Sequence, residues 1–339
     1  MAPPSDPLGL LEAWRALAGL DGEMGWRSTH LASIGRCRIM AARHMPDNRE
    51  ALLLGFQGLR PPSASDLPAG RGFHVEIVRD PALPGVVLIA LARQPGAQLD
   101  LFGAMAHDLV SVIHAEDGTD DARVVMVRVI ARIRAWQEFM LRDRSGVLSQ
   151  EDEIGLHGEL HILTELIERL RDSAAAVEAW EGPMRGLHDF VLPVGAMEVK
   201  SSVASVGFRA AISSLDQLDQ AVRSPLHLAA VRLTDDAVGM TLPERVAATR
   251  EQLSGSLAAA SGFSLRLLRY GYIEAMAAHY TRRLKLGDVR LFEVTDGFPA
   301  LTSRTVPRGV ISASYVLDLD FTKLASTALS DVLQDARSP

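Results

Sequence analysis

Between residues 149 and 233 the hydrophobic period switches repeatedly, and few folds accommodate that pattern. Ser149 is a candidate N-cap, with Glu151, Asp152 and Glu153 in the first turn, where acids favour the helix dipole. Leu156, Leu160, Leu163, Ile167 and Leu170 then form one apolar stripe at helical spacing. A second helix is expected over Ala174 to Trp180, ending at Gly182-Pro183. Strand-like segments follow at Asp189 to Leu192, Ala196 to Val199 and Phe208 to Ile212. A helix is then expected over Leu215 to Arg223 and a buried strand over Leu226 to Leu233. Helix, strands, helix and strand within about 90 residues read as an α/β unit.

The flanking segments differ. Residues 1–144 predict an α+β domain. A helix is expected over Leu8 to Leu20, with strands at Arg36 to Ala42 and Ala51 to Gln57 around Met45-Pro46-Asp47-Asn48. Strands at Phe73 to Val78 and Val86 to Leu91 precede helices at Leu99 to His114 and Ala122 to Leu141. Residues 145–240 hold the α/β core. Residues 241–339 predict a β-containing α/β extension packed on it. There a helix over Leu242 to Leu257 opens with Pro243. Strands are expected at Ser264 to Leu268, Val289 to Val294 and Val310 to Leu319, and a closing helix at Thr322 to Leu333.

Composition excludes several classes. Among 339 residues, 47% are hydrophobic and 23% charged, which are globular values. There is no apolar run of membrane-spanning length, and Met1-Ala2-Pro3-Pro4 does not open a signal peptide, so the expected location is the cytoplasm and no membrane partner is expected. The single cysteine, Cys37, excludes an intramolecular disulfide and a cysteine-based zinc site, and reads as a core residue. A Gly-rich phosphate loop and a nucleophile elbow are missing, which argues against an ATPase and a serine hydrolase. The formal net charge of -7 means that nucleic acid would be met through a local patch or a partner.

The chemistry concentrates in His188-Asp189-Phe190-Val191-Leu192-Pro193-Val194-Gly195-Ala196-Met197-Glu198-Val199-Lys200-Ser201-Ser202. With Leu192 to Gly195 as a hairpin turn, strand pairing brings Asp189 beside Glu198. Glu198 and Lys200, at i and i+2, leave the same face of their strand. Phosphodiester hydrolysis needs such a set: hard oxygen ligands for Mg²⁺, and a lysine that orients water or neutralises developing charge. Only three of the 35 basic residues are lysines (Lys200, Lys285 and Lys323), so lysine at 200 is an unusual choice in this chain. Acid-x-Lys alone is weak, with about 0.4 matches expected by chance; the strand context strengthens it. The alternative is a turn aspartate and an exposed Glu198–Lys200 pair, worth at most about 1 kcal/mol.

Other candidates carry paired readings. Glu159 is either a further acid of the site or a solvated helix-flank residue. His157 and His161, an i, i+4 pair, read as surface histidines rather than zinc ligands. Gln217 and Gln220 approach the site or lie on a helix surface. Ser201 and Ser202 contact phosphate or end the strand. Arg266, Arg269, Arg282, Arg283, Lys285 and Arg290 form the densest basic run. It either tracks a phosphate backbone, with Arg282, Arg283 and Lys285 as candidate contacts, or is a face paired with acids. Tyr270, Tyr272 and Tyr280, interleaved with it, read as core.

The Asp189…Glu198-Val199-Lys200 arrangement resembles the PD-(D/E)XK nuclease superfamily, with its restriction-endonuclease-like fold. Gly155-Leu156-His157-Gly158-Glu159-Leu160 is similar to the helix that supplies a further acid in many members. Trp180-Glu181-Gly182-Pro183, His188-Asp189-Phe190 and Ser213-Ser214-Leu215-Asp216-Gln217-Leu218 resemble, more narrowly, an uncharacterised bacterial family of PD-(D/E)XK proteins found near restriction-modification and phage-defence genes. The resemblance implies a Mg²⁺-dependent DNA endonuclease, with Mn²⁺ as a substitute ion. It implies metal binding by Asp189, Glu198 and the Val199 carbonyl, a nucleophile-positioning Lys200, and Glu159 completing the acidic cluster. DNA is the implied partner, with defence-system proteins or a second copy beside it. His188 stands where the motif has proline. A non-catalytic adaptor that keeps the fold to bind DNA or a partner enzyme, and an RNA nuclease, are the other readings.

Overall fold

The computed structural model describes residues 8–18, 24–116, 121–142, 147–321, 326–329 and 332. The chain divides into two compact units, residues 1–146 with 271–276, and residues 147–270 with 277–339. Among the described residues no helix is long and apolar enough to cross a membrane.

The first unit is an antiparallel sheet with helices. Helix α1 (Leu10–Ala18) precedes strands β1 (Gly25–Ile34), β2 (Cys37–Met45), β3 (Arg49–Gln57), β4 (Phe73–Val78) and β5 (Val86–Arg93), and helices α2 (Leu99–Ala115) and α3 (Ala122–Arg142) follow. The strand order is β1-β2-β3-β5-β4. The central strands are nearly continuous runs of buried residues, which is why their hydrophobic signal is strong. Strand β1 escaped the sequence reading because it is an edge strand with no buried residue. Trp14 stacks on Phe102 and donates Nε1–H to the Ala51 carbonyl at 2.8 Å. Buried Glu50 bridges Arg43 at 2.9 Å and Arg93 at 2.6 Å. Cys37 is buried, as expected of a core residue, and burial pushes its thiol up to about 11.

The second unit carries the α/β core. It contains α4 (Gln150–Leu170), α5 (Ser173–Ala179), β6 (Phe190–Val191), β7 (Ala196–Ser202), β8 (Arg209–Ile212), β9 (Leu226–Met240), α6 (Leu242–Gln252), α7 (Leu257–Tyr270), β10 (Leu284–Glu293) and β11 (Tyr315–Asp318). The main sheet runs β10-β9-β7-β6, with β7 and β9 parallel and the outer pairs antiparallel. Strand β11 pairs with β8 in a separate ribbon. A core including Phe208, Ile212, Leu226, Leu228 and Phe292 is buried in this unit. Ser149 caps α4 by accepting from the Asp152 N–H at 3.1 Å. Helix α4 packs on β7 with Gly158 at the crossing, where an added Cβ would stand 1.9 Å from Ser201 Oγ.

Three expected elements are corrected. Leu215 to Arg223 is a succession of turns, not a helix. Asp219 takes the Ala221 N–H at 2.9 Å and Gln217 the Ser213 N–H at 2.9 Å, local side-chain bonds that compete with helical ones. Ser264 to Leu268 lies inside α7 rather than in a strand; its short apolar run fits either period, and the preceding Leu257–Phe263 segment extends the helical one. In the stretch Val310 to Leu319 only Tyr315–Asp318 is strand. The closing helix expected at Thr322 to Leu333 falls mostly outside the described residues.

Candidate active site

Asp189 is fixed by its backbone first. Its carbonyl accepts from the N–H groups of Glu181 and Gly182 at 2.8 and 3.0 Å. Its Oδ2 accepts from the Val199 N–H at 2.7 Å, so the side chain caps the edge of β7 just beyond the two residues that β6 covers. In an extended strand a residue's N–H and C=O leave on the same side, so the Val199 carbonyl faces that edge too. Gly182 leaves the space: a Cβ there would come 2.8 Å from Asp189 Oδ1 and 3.2 Å from Glu159 Oε2.

Glu198 enters from β7 and is 2% exposed. Its Oε1 accepts from Lys200 Nζ at 2.8 Å and from Gln217 Nε2 at 2.5 Å. Its Oε2 is buried and receives no hydrogen-bond donor. Asp189 faces the Glu198 carboxyl, so a proton on either acid can be shared between them. Glu159 comes from α4, is buried, and its Oε2 accepts from Trp180 Nε1 at 2.7 Å, with Tyr270 as a second partner. The solvated-flank reading of Glu159 is therefore set aside.

Two buried acids, Glu159 and Glu198, and the half-buried Asp189 thus face one another with a single lysine beside them. Burial, then the negative charge of Asp189, pushes Glu198 up to about 8. Burial, then Asp189, drives Glu159 well above the carboxylate range, and burial raises Asp189. Among the described residues no group of three or more His, Cys, Asp or Glu side chains is placed to hold a metal ion. The donor set nonetheless fits one. Asp189 and Glu198 offer hard oxygens, one of them buried without a donor, and the Val199 carbonyl faces the same edge. Mg²⁺ characteristically takes one or two carboxylates, waters and substrate phosphates rather than an all-protein cage.

The expected site residues separate into two groups. Asp189, Glu198, Lys200, Glu159 and Gln217 come together. Ser201 does not join them: it points at Gly158 of α4, on the sheet face opposite Glu198 and Lys200. Ser202 accepts from the Ala204 N–H at 3.2 Å and closes the strand. Gln220 bonds Asp296, away from the carboxylates. Within the basic run, Arg282 pairs with Asp235, Arg283 with Glu244 and Lys285 with Asp236, at 3.5, 2.7 and 3.7 Å. Arg290 pairs with Asp320, and buried Arg266 donates to the Trp180 carbonyl. This face is one of compensated charge.

His157 is fully buried, not on the surface, and neither ring nitrogen has a partner; burial, then Arg245, holds it neutral down to about 3. It sits on the flank of α4 beside the stripe, and the helix is covered on more sides than the stripe alone requires. His161 is half-buried. Tyr272 and Tyr280 are core, as expected.

Sequence reasoning missed the supports. Trp180 holds Glu159 through its indole N–H, and Tyr270 bonds both Glu159 and the Asp152 carbonyl. His188, in the proline position of the motif, is buried and hydrogen-bonds the Gln217 backbone, tying the Asp189 strand to the turn that delivers Gln217. The Trp-Glu-Gly-Pro run before His-Asp-Phe was the signal available.

An acid before a short strand, an acid and lysine on the next, a further acid on the preceding helix and a mixed sheet define a PD-(D/E)XK nuclease-like protein. The chain belongs to the family described as "Putative PD-(D/E)XK family member, (DUF4420)", which matches residues 10–320. No curated protein and no solved structure matches it.

Proposed function

We propose that this protein is a Mg²⁺-dependent DNA endonuclease of a bacterial restriction or phage-defence system. The observation that carries this reading is the cluster of buried Glu159 and Glu198 with half-buried Asp189, Lys200 sitting on Glu198 Oε1. Uncompensated buried acids are costly unless a cation or protons neutralise them. Asp189, Glu198 and the Val199 carbonyl would hold Mg²⁺, and Glu159 adds negative charge behind them. Bound there, the ion supplies a polarised phosphate and a water of lowered pKa.

The chain's own groups do the rest. Lys200 Nζ, anchored on Glu198, has further protons to donate; it orients the attacking water and offsets charge developing on the phosphate oxygens. Arginine, larger and permanently charged, would serve that role less well. Gln217 fixes Glu198 and Trp180 fixes Glu159, so the carboxylates are set before substrate arrives. In the in-line displacement a water oxygen–phosphorus bond forms, the water's proton passing to solvent, and a phosphorus–ester oxygen bond breaks, the leaving oxygen taking a proton from solvent. One site cuts one strand, so a double-strand break requires a second copy or a partner.

The test is cleavage of supercoiled and linear DNA, with an RNA arm, by full-length protein with Mg²⁺ or Mn²⁺. The expected result is DNA nicking that Lys200→Ala reduces by about 10²–10³-fold. Cleavage of RNA alone moves the substrate to RNA. A catalytically inactive adaptor is the second reading, favoured by the absence, among the described residues, of a preformed group of three metal-ligating side chains. Absence of cleavage of either nucleic acid, unchanged by Lys200→Ala, supports it.

A further inference from the structure

The first unit has no role in the reaction above, yet it sets two arginines side by side along one concavity. Strand pairing sets Ser33 opposite Arg38, Arg38 opposite Gly55, and Gln57 opposite Val86. The Gln57 N–H bonds the Arg36 carbonyl at 3.2 Å, which continues the register into the hairpin turn. Paired residues share a face, as do residues two apart on one strand. Arg36, Arg38, Ser33 and Gln57 therefore leave the same side of the sheet around Gly55.

Gly55, opposite Arg38, is packed closely by its neighbours. A Cβ there would crowd Val86 Cγ1 at 3.0 Å, Leu88 Cδ2 at 3.1 Å and Arg38 Cβ at 3.3 Å. Beside it lies a concavity of about 230 Å³, lined by Ser33, Gly35, Arg36, Arg38, Gln57 and Val86, with Cys37 behind. Drug-sized ligands occupy about 300–1,000 Å³, so this space suits a smaller group.

Several guanidinium groups of this chain meet acids: Arg43 and Arg93 on Glu50, Arg132 on Asp108, Arg232 on Asp320. Arg36 and Arg38 are exposed, and neither side chain makes an ion pair or hydrogen bond with any described residue. Like charges side by side on a sheet face repel, and an anion between them relieves that cost.

We propose that this concavity is a phosphate-binding cleft in which Arg36 and Arg38, assisted by Ser33 and Gln57, grip the backbone of the nucleic-acid substrate. It rests on the nuclease reading for the identity of the phosphate donor. The cleft gives an acidic chain a local basic contact outside its catalytic unit. It makes no base contact, so it contributes to affinity rather than to sequence choice.

The experiment measures binding of a labelled duplex to full-length protein in EDTA, across a salt series, with cleavage assayed separately. Each phosphate contact contributes a slope of about -0.9 to the dependence of log affinity on log salt. Arg36→Ala with Arg38→Ala is expected to flatten that slope by about 2 and weaken binding roughly tenfold or more at low salt. Lysine at both positions should keep the slope, because charge rather than shape carries the effect. Arg282→Ala with Arg283→Ala serves as the paired-arginine control. An unchanged slope in the Arg36/Arg38 double variant overturns the cleft and leaves the nuclease reading intact. Wild-type protein that binds no nucleic acid, and whose cleft takes up inorganic phosphate alone, overturns both.

Discussion

Glu50 and Glu198 are both buried acids on central strands, and their surroundings are opposite. Glu50 sits between Arg43 and Arg93; despite burial, a bond from its own backbone N–H and then the two guanidinium groups hold its carboxyl below the usual range. Glu198 has one lysine, and it faces Asp189; burial and that neighbour push it up to about 8. The first arrangement is complete in itself. The second is complete only with protons or a cation. Burial alone does not single out a candidate functional acid; burial without compensation does.

Catalysis should separate the two most. Asp189→Asn and Lys200→Ala are expected to lower nicking by about 10²–10³-fold, while Glu50→Gln leaves activity per folded molecule unchanged. Stability should reverse the order. Removing Glu50 strands two guanidinium groups and is expected to cost about 3 kcal/mol in chemical denaturation. Glu198→Gln removes a like-charge repulsion and should leave the metal-free protein as stable as before or more so.

The pH dependence carries the same contrast. Glu198 is raised, so between its unfolded value of 4.5 and about 8 the native state holds a proton that the unfolded state has lost. Stability from Glu198 is thus present at low pH and lost as pH rises through that window. Glu50 is lowered, so its contribution is present above its unfolded value and lost as pH falls through the native one. Melting of metal-free protein between pH 5 and 8 should fall with pH, and Glu198→Gln should flatten the fall. A smaller effect tests the scaffold. Gly158→Ala is expected to cost about 1–3 kcal/mol by forcing α4 off β7, and Ser201→Ala should restore part of it, since Ser201 Cβ would still lie 3.2 Å away.

Most elements could be read from the sequence because their periods were long and clean. The central strands of the first unit and the long helices fall where their apolar residues put them. The failures have local causes: β1 buries nothing, 215–223 is held in turns by its own Asp and Gln side chains, and 264–268 is too short to show its period. Asp189, Glu198 and Lys200 were visible because two strands and one turn bring them together. Trp180 and Tyr270 were not, since they reach Glu159 from 21 residues and from a different helix. The basic run looked like a nucleic-acid face because its acids lie far away in sequence, as Asp235 and Asp236 do from Arg282 and Lys285.

Calorimetric titration of Mn²⁺ into wild-type protein, with and without a nucleic-acid duplex that resists cleavage, addresses the carboxylate cluster directly. The account predicts binding that strengthens with pH as protons leave the cluster, and its loss in an Asp189→Asn, Glu198→Gln variant that retains its circular dichroism. A wild type that takes up no ion in either condition, or a folded double variant that binds as the wild type does, would contradict it.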